Sequence, residues 1–200
     1  SLVDIRRDLW VNYVRNYRRY LDFLEQILAM DVHLYVFIEE KGYEFVKEHR
    51  KGKEDKTVIE VITLEDLKGY QYLDRIKEIQ GRDQYKRVQK DPSCPEVREP
   101  LYNVVVNSKV DRVWQVIQKN PFNSDYFVWI DAGYGHGRKL CPETWAPNNA
   151  MRDEKDRVVI IELMDIARAK RGFWEFYVQH VDIINGCLLY TSDAADELLG

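Results

Sequence analysis

DYFVWIDAGYGHG, residues 125–137, is the stretch on which the rest of the chain turns. Five largely apolar residues, Tyr126 to Ile130, run into an acid, Asp131, and glycines follow at 133, 135 and 137. An unbroken apolar run of this length reads as a strand buried on both faces, the habit of a parallel sheet covered by helices. Asp131 then stands where the strand leaves the core. Its carboxylate keeps a charge there only if water, a cation or hydrogen-bond donors compensate it. Gly133, Gly135 and Gly137 permit positive φ and close approach of backbone to a ligand. Two readings of Asp131 follow. In one it caps a turn, since strand-D-x-G turns are common. In the other it binds Mg²⁺ or Mn²⁺ at a nucleotide-sugar diphosphate, with glycine N–H groups helping to cradle the phosphates.

Outward from this block, strands and helices alternate. Residues 8–29 carry Trp10, Tyr13, Val14, Tyr17, Leu21, Leu24 and Leu28 at spacings of three and four, predicting a helix whose arginines meet water. HLYVFIE (33–39) predicts a strand, 41–50 a helix and TVIEVI (57–62) a second strand. Thr63 and Asp66 cap a helical stretch through about Gln80. Residues 81–100 are polar and Pro-bearing, predicting a long surface connection with one helical turn. A helix over 101–120 stops at Asn120-Pro121. Beyond the glycine block lie a strand (157–164), a helix (165–178) and the start of another element at 181–184. The order predicts an α/β domain with a central mostly parallel sheet flanked by helices, and ligands on such sheets sit beyond the carboxyl ends of the strands.

Composition narrows the classes. Two hundred residues, 45% apolar and 32% charged, describe an ordinary globular chain with room for a full core. A net charge of −4 with intermixed signs gives no nucleic-acid footprint. No apolar run approaches the roughly 18–20 residues that span a bilayer, and membrane association is left open. The glycines space as G-x-G-x-G and open no helix, so a dinucleotide fingerprint is absent. Cys94, Cys141 and Cys187 form no CxxC pair, and His136 with Cys141 falls short of a zinc set. His136, on the glycine loop, is a candidate phosphate donor or acid–base. Tyr134 and Trp145 are candidates for ligand contact, whereas Trp10, Tyr13, Tyr17 and Trp114 are assigned to packing.

L-V-D-I-x-R-D-L-W (2–10), P-L-Y-N-V-V-V-N-S-K (100–109) and N-P-F-N-S-D-Y-F-V-W-I-D-A-G-Y-G-H-G (120–137) resemble the HtrL/YibB family over about residues 1–186. Its members are found near bacterial surface-polysaccharide genes and in some invertebrates, and the family is similar to glycosyltransferases of the A type. That resemblance implies a nucleotide-binding α/β fold with a D-x-D acid motif at a strand end. Asp131 falls in the place of the first acid and Gly133 in that of the second, which departs from the pattern. Asp4 ends the first strand and faces the nucleotide, at a point where members commonly carry Gly in place of Arg6. Arg7 and Lys109 balance diphosphate charge, and Asn103 and Ser108 line the same cleft. Tyr134, Gly133 and Gly135 belong to the donor-binding loop.

The implied activity is transfer of a sugar from a nucleotide-diphosphate donor to a glycan or lipid-linked acceptor. Asp131 with Mn²⁺ or Mg²⁺ neutralises the leaving diphosphate, and Glu143 or Asp182 takes the acceptor proton. The rival is a non-catalytic glycan- or nucleotide-binding domain that lacks the second acid. The tail CLLYTSDAADE (187–197) resembles a translated frame of a transposase adapter used in DNA sequencing. The domain is therefore expected to occupy 1–186, with 187–200 foreign and the chain a piece cut at both ends.

Overall fold

The structure, a computed structural model, describes residues 1–88 and 92–138 with the backbone of two later strands, 158–162 and 184–192. The predicted long first helix is shorter. Residues Arg7–Leu9 form one 3-10 turn, a bend follows, and helix α1 runs Tyr17–Leu28. Asn16 sets that start, because its Oδ1 accepts from Arg19 N at 2.8 Å. Tyr13, with φ 57°, lies outside any helix. The apolar spacing of Trp10, Tyr13 and Val14 matched a helical period by coincidence, and the cap was the better signal.

Strands β1 (Leu34–Ile38) and β2 (Thr57–Val61) pair in parallel, with Leu34 opposite Thr57. Parallel neighbours need a crossover, and helix α2 (Glu40–His49) supplies it. Phe37 O accepts from Leu2 N while Ile38 O accepts from Ile62 N, both at 2.9 Å. Successive carbonyls point to opposite edges, so the N-terminal segment flanks β1 on the side away from β2. Side chains of β1 alternate accordingly. Val36 and Ile38 pack with Leu21, Leu24, Ile27 and Leu28 of α1 and with Val46 of α2. Phe37 points the other way, into Val3, Ile62, Leu67 and Val104. Both faces are thus apolar, each buried side chain worth about 1.5–3 kcal/mol.

Thr63 and Asp66 meet as expected, Oδ2 accepting from Thr63 N at 2.7 Å, but they close a turn rather than open a helix. A 3-10 segment, Lys68–Tyr72, precedes α3 (Leu73–Gly81). The expected surface connection contains two short helices, α4 (Asp83–Val88) and α5 (Pro95–Arg98). The single helix expected over 101–120 is two, α6 (Pro100–Asn107) and α7 (Lys109–Lys119), divided at Ser108. Ser108 Oγ donates to Val104 O at 2.7 Å and accepts from Gly69 N at 3.0 Å. A Cβ on Gly69 would lie 2.8 Å from that hydroxyl, so only glycine permits the approach. A hydroxyl bonded back to its own helix in this way competes with regular helix geometry.

A second sheet joins β3 (Tyr126–Ile130), β4 (Val158–Glu162) and β5 (Ile184–Ser192) in the order β3-β5-β4, antiparallel throughout. This corrects the expected central, mostly parallel sheet. The protein is mixed α/β, but its described strands form one parallel pair and a separate antiparallel trio. Phe127 and Trp129 are buried against Val113 and Ile117 of α7, while Val128 between them is 40% exposed. An apolar residue on the outer face made a one-sided strand read as two-sided. Residues 187–192, set apart in the sequence as a tail, contribute to β5, the middle strand of that sheet. The helix expected over 165–178 lies outside the described residues, as do Glu143, Trp145 and Asp182.

Candidate functional site

Asp131 follows directly on β3, and Trp129, two residues earlier, projects to the same side of the strand. Trp129 Nε1 donates to Asp131 Oδ1 at 2.6 Å. Lys109 Nζ donates to Oδ2 at 2.9 Å, an ion pair in which both side chains are mostly enclosed. Lys109 reaches that point because the break at Ser108 makes it the first residue of α7. Sequence reasoning thus named both partners without naming their contact.

The pair opens on a cleft of about 220 Å³ between α1, the N-terminal segment, α6 and the end of β3. Arg7 and Arg15 add positive charge to its wall. Arg7 donates from Nη1 to the Tyr20 hydroxyl and from Nη2 to Tyr13 O at 3.0 Å, and its guanidinium lies 4.6 Å from the Trp10 ring centre. Arg15 lies 5.9 Å from the Tyr20 ring centre. Tyr17, Tyr20 and Tyr102 present rings to the same hollow. Burial pushes the Tyr102 hydroxyl well above its usual pKa, and Glu96 adds to the effect. Tyr17 is likewise pushed up by burial, then by Glu39 and Asp4, and its buried hydroxyl has no hydrogen-bond partner among the described residues.

Asp4 is the second carboxylate on the cleft. Lys41 Nζ reaches its Oδ2 at 2.5 Å, and Arg6 N donates to Oδ1 at 2.9 Å. Partial burial works against the charge, but these two donors outweigh it and hold the carboxyl below its ordinary range. Arg6 itself sits at φ 57°, ψ 41°, a left-handed conformation that favours glycine.

Gly133 and His136 line the cleft, whereas Tyr134 and Gly135 do not. The loop from Tyr134 to Gly137 is a 3-10 turn with φ 75° at Gly135 and 49° at His136. The close approach that Gly133 permits is to the protein's own Tyr20, whose Cε1 would lie 3.2 Å from an added Cβ. Gly137 meets Phe23 in the same manner at 3.4 Å. His136 is exposed and stacks on Phe23 with centroids 5.8 Å apart. Tyr134 packs against the core around α1 instead.

Two more expected site residues sit elsewhere. Asn103 Nδ2 donates to Glu96 O at 2.8 Å, tying α6 to α5, and it does not face the cleft. Ser108 is buried beneath Gly69. Arg15, Tyr17, Tyr20 and Tyr102 were overlooked as site residues. Helical periodicity assigned Tyr17 to packing and Arg15 to water, whereas Asn16, the cap, turns the chain and carries Arg15 over Tyr20.

The donors around Asp131 do not suit a divalent cation as they stand. Both its oxygens are engaged, an ammonium already occupies one side, and Gly133 brings no side-chain oxygen. Among the described residues, no three His, Cys, Asp or Glu side chains cluster as ligands.

A mixed α/β protein with a cation-lined cleft at a strand end is the class that fold and site define. The chain belongs to the HtrL/YibB family, bacterial proteins of unknown function, the match covering residues 1–196. No curated protein and no solved structure matches it. No described helix is long and apolar enough to cross a membrane.

Proposed function

We propose that this protein transfers a sugar from a nucleotide-diphosphate donor to a hydroxyl of a glycan or lipid-linked acceptor. The observation that carries the reading is the convergence of Lys109, Arg7 and Arg15 with three tyrosine rings beside Asp131 in one cleft. Cations suit a diphosphate and flat rings suit a base or a sugar face, a pairing that neither ligand part alone would require. In the reaction the bond from the anomeric carbon to the diphosphate oxygen breaks and its electron pair leaves with the diphosphate. The acceptor oxygen forms the new bond, and its proton passes to a carboxylate, with Glu143 the candidate named from the sequence. Lys109, Arg7 and Arg15 neutralise the departing charge. Asp131 orients the Lys109 ammonium, and His136 on the rim donates to a phosphate oxygen or takes a proton.

The binding-module reading has its own support, since Gly133 leaves one acid where a D-x-D pair would place two. Turnover separates the two. Lys109→Met should lower transfer on the order of 10²–10³-fold, because an electrostatic stabiliser of the departing diphosphate is lost. Unchanged turnover in that variant would remove the catalytic reading. Binding of a nucleotide diphosphate without any transfer would leave the binding module.

A further inference from the structure

Between the first 3-10 turn and α1 the chain carries apolar side chains into water. Leu9 is 67% exposed, Val11 76%, Tyr13 50% and Val14 53%. Ordinary surfaces scatter such residues singly, whereas here four fall within six positions. The loop that holds them is pinned. Arg7 donates to Tyr13 O, Arg15 N donates to Arg7 O at 3.3 Å, and Trp10 turns inward, edge-on to Tyr102 at 6.1 Å. Trp10 anchors the base while its neighbours point away.

Charge at the same place is equally one-sided. Residues 6–19 hold five arginines and one aspartate, a local charge of +4 in a chain whose net charge is −4. Arg6, Arg18 and Arg19, which flank the apolar tips in sequence, are exposed. A stable protein interface needs roughly 800 Å² on each side and keeps charge out of its centre. A small apolar cluster flanked in sequence by exposed arginines instead fits an anionic bilayer. There the tips enter the headgroup boundary and the arginines meet phosphates. We infer that this loop docks the protein on an anionic phospholipid surface. Leu9, Val11 and Val14 enter the headgroup layer, Tyr13 lies at its boundary, and Arg6, Arg18 and Arg19 contact phosphates.

Arg7 and Arg15 belong to the cleft, so the docked face adjoins the cleft mouth. A lipid-linked acceptor would be presented there, a consequence that rests on the function proposed above, whereas the docking itself does not.

Sedimentation with vesicles tests it. The protein should pellet with vesicles of equal parts phosphatidylglycerol and phosphatidylcholine, and not with phosphatidylcholine alone. Salt well above physiological strength, where the Debye length drops below about 8 Å, should release it. The double variant L9D/V11D should bind about ten-fold less while its melting temperature and its thermal shift with uridine diphosphate stay at wild-type values. Three results would each overturn the inference: no pelleting, equal pelleting on both vesicle types, or full binding by the variant. A self-association that L9D/V11D abolishes, without vesicle binding, would assign the surface to a second copy instead. Loss of the nucleotide shift with vesicle binding intact would count against the proposed function alone.

Discussion

Arg50 shows how one side chain can hold several segments. It is 1% exposed, and its guanidinium donates to the carbonyls of Leu28, Met30 and Val32 at 2.7–3.0 Å and to Thr57 Oγ1 at 2.7 Å. The Leu28 carbonyl, at the end of α1, carries the negative end of the helix dipole, which suits a cation. Burial lowers the guanidinium pKa from its very high ordinary value, yet it stays charged at any working pH. Arg50→Met should cost about 3–5 kcal/mol, because several buried carbonyls lose their donor together. A fall in the urea midpoint with an unchanged slope would record it, and a loss under about 1 kcal/mol would contradict the account. Nothing in the sequence marked Arg50, since a basic residue after a helix is also the ordinary surface pattern. Asp4 gives a second test at this scale. Its folded pKa lies below the unfolded value, so its contribution is present above that value and is lost as pH falls through the folded one. Wild type should therefore lose more stability than Asp4→Asn from about pH 4 downward. Parallel losses in urea titrations of the two proteins would refute the pairing with Lys41.

At the scale of elements, the break between α6 and α7 matters most. A continuous helix would have carried Lys109 around the axis, and Ser108 prevents this by bonding Val104 O and receiving Gly69 N. Ser108→Ala leaves the Gly69 amide without its acceptor, at about 1–3 kcal/mol. Faster hydrogen exchange at Gly69 is the expected signature, and unchanged exchange there would deny Ser108 that role. Periodicity could not reveal the break, because Val105, Val113 and Ile117 keep a helical spacing across it. It did find β1, α2 and β2 within a residue or two, where a βαβ unit with two covered faces leaves little freedom. It misjudged β3, where Val128 is apolar and exposed, and it missed the Asn16 cap. Arg15 and Tyr20 come together at the cleft only through that cap, so they were out of reach of any spacing rule.

For the molecule as a whole, the cleft gathers residues far apart in sequence: Asp4 and Arg7 at the start, Tyr102 and Lys109 across the α6–α7 break, Asp131 after β3. Asp131 was legible as a carboxylate at a strand end, whereas Asp4, Arg7 and Lys109 were marked only by the family resemblance. Their meeting was not legible, because it depends on how the N-terminal segment lies against β1 and how α7 packs on β3. In the proposed function the cations supply what the resemblance assigned to a metal, and that substitution is the account's most exposed claim. Its direct test is the thermal shift of the protein with uridine or guanosine diphosphate in the presence of EDTA, on wild type and on Lys109→Met. At 100 times the dissociation constant the account predicts stabilisation of wild type by about 2.7 kcal/mol, largely lost in the variant. Absence of any shift with either nucleotide, or a shift that Lys109→Met leaves intact, would contradict it.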